Sequence, residues 1–135
     1  MKRILAIDYG SKRCGIAVSD PTQTIASPLE TVLSHELMGY LDKYFKKEHV
    51  EAVVLGKPLN LNNQPSESFV LVERFAKAFV KRFDKPLHWE DERFTSSVAM
   101  DAMISGGMKK KDRQEKGNLD KISAAIILQS FLDAK

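Results

Sequence analysis

LAIDYGSKRCGIAVSD (Leu5–Asp20) is the stretch whose reading decides the fold. Ile4, Leu5, Ala6 and Ile7 form a continuous apolar run, the pattern of a strand covered on both faces in the middle of a sheet. Asp8 stands where that run stops. A second strand pattern, CGIAVSD, begins at Cys14 after the short connection GSKR. So short a connection makes the two strands an antiparallel hairpin. At this point Asp8 has two readings. Asp, Gly and Ser favour tight turns, and aspartate can bond its own backbone there. Alternatively, the end of a central strand is a rigid platform for a carboxylate with chemistry to perform.

The bulk numbers narrow the classes. A chain of 135 residues is long enough for one domain with a core and too short for two, so residues 1–135 are expected to form a single domain. No apolar run approaches the roughly 20 residues that span a bilayer, and no membrane partner is expected. The N-terminal MKRILAIDYG begins like a signal peptide, but its apolar run is short and Asp8 interrupts it. Cys14 is the only cysteine, which excludes an internal disulfide framework and suits a cytoplasmic location; it is read as a packed strand residue. His35, His49 and His88 lack zinc-ligand spacing. The net charge of +3 is compatible with a polyanionic partner. Its distribution says more: Lys12 and Arg13 lie in the first turn. Lys109, Lys110, Lys111 and Arg113 crowd the segment MKKKDRQEKGN. That segment reads either as a solvated loop or as a phosphate-contacting surface.

The order of elements follows from periodicity. KRILAID, CGIAVSD and TIASPLETV are strands. Ser34 is placed to cap a helix running through Phe45, with Leu37, Tyr40, Leu41, Tyr44 and Phe45 on one face. EAVVLGKPL is a buried strand stopped by Pro58, and NLNNQPSES, including residues 60–68, is a polar loop. A second helix carries the stripe Phe69, Val72, Phe75, Phe79 and Phe83, and PLHWEDERF is the last strand. A helix from about Ser96 ends at Gly106-Gly107. Asn118 is placed to cap a final helix, LDKISAAIILQSFLDA, apolar almost all round and therefore buried against the sheet. The sum is an α/β domain: a mixed sheet, antiparallel in strands 1–3 and parallel afterwards, flanked by helices.

The acids fall at the ends of buried elements. Asp8 ends the first strand, Glu90, Asp91 and Glu92 crowd the end of the last, and Asp120 lies in the first turn of the final helix. Ser123, Ala124 and Ile127 share Asp120's face, and the two small residues allow a close approach to the sheet. Carboxylates that converge repel one another and raise each other's pKa unless cations neutralise them. Basic side chains or divalent ions can do so, and hard oxygen ligands suit Mg²⁺ or Mn²⁺. One or two such ions activate a water and stabilise the leaving oxygen of a phosphodiester.

LAIDYGSKRCGIAVSD, VVLGKPLN, EDERFTSSVA and LDKISAAIILQSFL resemble, in this order, the motifs of the YqgF family, also called RuvX or the Holliday-junction-resolvase-like family. The resemblance spans essentially the whole chain. It implies a ribonuclease H-like fold and a cytoplasmic, metal-dependent nuclease, described for the family as processing the 5′ end of the small-subunit (16S) ribosomal RNA precursor. An older family assignment is Holliday-junction resolution. The family's acids fall on Asp8, on the pair Asp91 and Glu92, and on Asp120. Strand alternation sends Asp91 and Glu92 to opposite faces, and Glu92 is preferred as the ligand with Asp91 as the alternative. Arg93 and Thr95 match the same motif, either as phosphate contacts or as a surface ion pair and a helix cap. Lys57 replaces a residue commonly apolar in relatives. The implied partners are structured RNA, branched DNA and ribosomal precursor particles, with the protein a monomer or a homodimer. Two other classes compete: an actin-like ATP-binding domain, which needs a second copy of the motif, and a nucleic-acid-binding module without catalysis.

Overall fold

The computed structural model describes residues 2–57, 69–91 and 116–134, with side chains in the last segment from Asp120 onward. The chain opens with β1 (Arg3–Tyr9), β2 (Arg13–Ser19) and β3 (Ala26–Leu33). A 3-10 turn over Ser34–Glu36 leads into α1 (Leu37–Lys47), followed by β4 (Val50–Lys57), α2 (Phe69–Arg82) and β5 (Leu87–Asp91). The last described element, α3, spans Lys116–Asp133. The sheet order is β3-β2-β1-β4-β5. β1 pairs antiparallel with β2 and parallel with β4; β2 and β3 are antiparallel, β4 and β5 parallel. This is the mixed, ribonuclease H-like sheet expected from the sequence, with the apolar run of β1 at its centre.

Alternation along β1 assigns the two faces. Leu5 and Ile7 enter a core with Leu37 and Leu41 of α1 and Val72, Phe75 and Phe79 of α2. Ile4 and Ala6 enter the opposite core with Ala17, Val54 and the α3 residues Ala124, Ile127 and Leu128. Successive side chains of a strand point to opposite faces, so a buried strand between two helical layers must be apolar at every position. Pro28 falls on β3, an edge of the described sheet, where its missing donor is tolerated.

Two helix starts differ from the sequence expectation. No side chain caps the 3-10 turn or α1. β3 ends paired with the start of β2, Leu33 opposite Arg13, which brings Ser34 beside the β1–β2 turn. There its Oγ donates to the Gly10 carbonyl at 2.6 Å, an acceptor that the Cys14 thiol also approaches at 3.9 Å. The backbone of α3 starts at Lys116, so Asn118 lies within the helix and not at its cap. The Phe69–Phe83 stripe is core as expected: Val72, Phe75 and Phe79 are buried, and Phe83, just past the helix end, packs on Phe45 and Phe79. The expected polar loop and the helix from Ser96 lie outside the described residues.

Among the described residues no helix is long and apolar enough to cross a membrane.

Candidate functional site

The site begins with one glycine. Gly15 of β2 is the register partner of Asp8 on β1. Its neighbours Cys14 and Ile16 face the α1–α2 core, so position 15 faces α3. A Cβ built on Gly15 would stand 2.0 Å from the backbone oxygen of Asp120 and 2.7 Å from the amide nitrogen of Lys121. The first turns of α3 therefore rest directly on the backbone of β2, which only glycine permits. Ser123, Ala124 and Ile127 are buried beneath the same helix, as their shared face with Asp120 predicted. Asp8 lies on the α3 face by the parity of Ile4 and Ala6. It is half-buried. Two acids more than a hundred positions apart are thus brought to the same face of the sheet, one on β1 and one seated on its register partner in β2.

Arg13 closes the group. Its Nε lies 3.4 Å from Asp120 Oδ2, with both side chains partly exposed. Arg13 shares the parity of Gly15 along β2, which aims it at α3. Lys12 is exposed, and its carbonyl accepts the Ser34 amide at 2.9 Å, so the β1–β2 turn is tied to the end of β3. Gly10 is fixed for a second steric reason: a Cβ there would stand 2.4 Å from the Arg13 carbonyl oxygen.

Cys14 sits on the other side of β2, fully buried, with Sγ 3.4 Å from Ser34 Oγ. Burial above all pushes its thiol pKa up. Hydrogen bonds with the Ser34 hydroxyl and the Gly10 backbone pull it down, and the charges of Asp8 and Asp120 add to the rise. Both carboxylates are near enough to be felt by one thiol. A raised pKa leaves Cys14 protonated and unreactive, in keeping with its reading as a packed strand residue.

β5 supplies the remaining described candidate acids, Glu90 and Asp91. His88 packs at a tilt on Phe131 of α3, ring centroids 5.2 Å apart, and Glu90 accepts from Ser130 Oγ at 3.4 Å. Trp89 instead packs at a tilt on Phe69 of α2, ring centroids 5.7 Å apart. His88 and Glu90 therefore share the face of Asp8, while Trp89 and, by parity, Asp91 belong to the α2 face. Lys57 sits over the Phe69 ring at 5.6 Å, a cation–π contact on that same face. Glu92, Arg93, Thr95, Lys109, Lys110, Lys111 and Arg113 lie outside the described residues.

Asp8 and Asp120 offer hard oxygen donors, the type that Mg²⁺ and Mn²⁺ take, and a guanidinium already rests against one of them. The pair fits a cation on donor chemistry. Among the described residues no group of three or more His, Cys, Asp or Glu side chains is placed to hold a metal ion.

Gly15 was the residue that sequence reasoning passed over. The signal was there: a glycine inside an otherwise apolar strand marks a bulge or a close backbone approach.

A sequence profile described as RuvX, Holliday junction resolvase, matches residues 2–134. The chain belongs to the RuvX family. It is 51% identical over 136 residues to a protein of Bacteroides fragilis, covering 100% of this chain and 99% of the relative. It is also 51% identical over 133 residues to one from Christiangramia forsetii, covering 98% of each. Both relatives are named as candidate pre-16S rRNA nucleases. Thermus thermophilus RuvC, solved with a Holliday junction substrate, shares the fold at a TM-score of 0.59 and 15% identity, covering 99% of this chain and 95% of that one. Fowlpox virus resolvase, solved with Holliday junction DNA, does so at 0.59 and 14%, covering 98% and 97%. Membership of the RuvX family makes the protein a nuclease, an enzyme that hydrolyses phosphodiester bonds in nucleic acid.

Proposed function

We propose that the protein is a divalent-metal-dependent nuclease that processes the 5′ end of the precursor of 16S rRNA in the cytoplasm, working as a single domain on ribosomal precursor particles. Asp8, Glu92 and Asp120 hold one or two Mg²⁺ or Mn²⁺ ions. The observation that carries this reading is the seating of Asp120 on Gly15, beside Asp8. The named relatives supply the substrate class. Glu92 is preferred to Asp91 because Asp91 belongs by parity to the face of Trp89, which meets α2, and not to the face of Asp8.

When bound, the metal supplies activation of a water and neutralisation of charge on the scissile phosphate and leaving oxygen. The chain's own contribution is placement. β1 and the Gly15 seat fix two carboxylates on rigid elements, so little reorganisation is needed at reaction. Arg13 and Lys12 of the first turn serve as phosphate contacts, and the sequence assigns the same role to Arg93, Thr95, Lys109, Lys110, Lys111 and Arg113. Phosphate contacts of this kind position a strand without reading its sequence, and binding falls steeply with salt. The family description favours a second reading, resolution of branched DNA junctions, which requires two active sites and hence a homodimer.

The test is cleavage of end-labelled 16S rRNA precursor and of a four-way DNA junction in Mg²⁺, Mn²⁺ or EDTA, by wild type and Asp8→Asn. Metal-dependent cutting of the RNA, reduced at least about a hundredfold in Asp8→Asn while binding persists, is the expected result. Preferential junction cutting selects the second reading. Binding without cutting by wild type overturns both in favour of a non-catalytic binding module.

A further inference from the structure

The contact between Arg13 and Asp120 is a poor salt bridge in an important place. Charge-assisted N–H···O bonds run about 2.7–2.9 Å, and arginine commonly engages a carboxylate with two N–H groups. Here Nε alone approaches, at 3.4 Å, with side chains 38% and 29% exposed. Solvent screens such a pair, and holding it costs the freedom of a long side chain. The backbone of Asp120, by contrast, is fixed independently by its seat on Gly15. The arginine can therefore leave without displacing the backbone of Asp120.

We propose that Arg13 is an exchangeable counter-cation. It rests against Asp120 in the free protein and moves to a phosphate of the arriving nucleic acid, so that substrate binding removes one positive charge that competes with the metal at Asp120. This rests on the assignment of Asp120 as a metal donor made above. The physical argument is competition between cations. A guanidinium 3.4 Å from a ligand oxygen opposes a second positive charge at that oxygen. A phosphate diester accepts both arms of the planar guanidinium, a better partner than one N–H at 3.4 Å. Removing the Arg13 charge from Asp120 favours the metal there. Phosphate binding and metal binding must in consequence help one another by the same factor, since such coupling is reciprocal. Arg13 acts through Asp120 and is in this respect a positioning residue, distinct from the metal donors.

The experiment measures Mn²⁺ affinity of the full chain from the free-ion electron paramagnetic resonance signal. Wild type, Arg13→Gln, Arg13→Lys and Asp120→Asn are compared, with thermal unfolding as the check on folding. Arg13→Gln is expected to bind Mn²⁺ about fivefold tighter than wild type in the absence of nucleic acid, the lower end of ordinary coupling between sites. Arg13→Lys, which keeps the charge, stays closer to wild type. A phosphorothioate-linked RNA strand tightens Mn²⁺ binding in wild type more than in Arg13→Gln. A merely structural arginine would give the opposite sign: its loss would loosen the site and weaken the metal. Unchanged or weaker Mn²⁺ binding in Arg13→Gln overturns the exchange. If Asp120→Asn abolishes binding in that same comparison, Asp120 stands as a donor and only the role of Arg13 falls. If Mn²⁺ binding is absent, or indifferent to Asp120→Asn, the donor assignment itself falls and the exchange with it.

Discussion

Replacing Gly15 by alanine tests the construction of the site with a single methyl group. The added Cβ would stand 2.0 Å from the Asp120 carbonyl oxygen and 2.2 Å from its carbon. Both are backbone atoms, so no side chain can rotate out of the way. Reaching the 3.4 Å at which ordinary contact begins requires the first turns of α3 to retreat by about 1.4 Å. Overpacking of this kind costs about 1–3 kcal/mol. At roughly 4 °C per kcal/mol for a chain of this size, Tm falls by about 4–12 °C. The same retreat carries Asp120 away from Asp8, and a misplacement near 1 Å costs about a hundredfold in rate. Nuclease turnover should therefore fall by about that factor at a temperature where circular dichroism still reports a folded protein. Gly39→Ala is the control, because a Cβ there meets nothing within 4 Å. Its position in α1 predicts a gain of about 0.5–1 kcal/mol from helix propensity, with activity intact. A Gly15→Ala protein with wild-type turnover would refute the claim that the helix seat sets the position of Asp120. A loss of Tm alone would reduce Gly15 to a packing residue.

Other expectations concern stability. Ser19 is fully buried; its Oγ accepts the Ile4 amide at 2.8 Å and donates to the Asp20 carbonyl at 2.9 Å. Ser19→Ala leaves a buried N–H without its acceptor and should cost about 1–3 kcal/mol in urea unfolding; a change within error would mean another acceptor reaches Ile4. Asp20 accepts the amides of Ile25 and Thr24, each at 2.8 Å, and the amide and hydroxyl of Thr22. The Ile25 amide first, then the Thr22 hydroxyl and the Thr24 amide, hold its carboxyl well below the usual range. The stabilisation is thus fully present above the unfolded carboxylate value of about 4 and is lost as pH falls through the lower folded value. Tm of wild type should drop more between pH 5 and pH 2 than that of Asp20→Asn, and parallel acid profiles would remove this role.

Much of the fold was legible in one dimension because hydrophobic period reports burial. The unbroken run Ile4–Ile7 required cover on both faces, and the structure supplies it with separate cores on either side. The short GSKR connection required a hairpin, and Tyr9 pairs with Cys14 across it. Asp8 and Asp120 stood out for a similar reason: each is an acid at the border of a buried element, where a solvated role is least expected. Glu92 and the basic segment were equally legible as candidates, but their placement is no property of sequence pattern.

The tertiary structure decided the rest. Nothing local makes Ser34 give its hydroxyl to Gly10 and leave the helix start uncapped. That choice exists only once β3 has folded back along β2. The role of Gly15 is likewise invisible until α3 crosses the sheet, because a glycine records the absence of a side chain and not the atom that fills the space. Sequence determines which residues must be buried and where strands end, since those depend on a residue and its near neighbours. Which acid meets which cation depends on contacts between Arg13 and Asp120, 107 positions apart, and chain topology alone brings such pairs together.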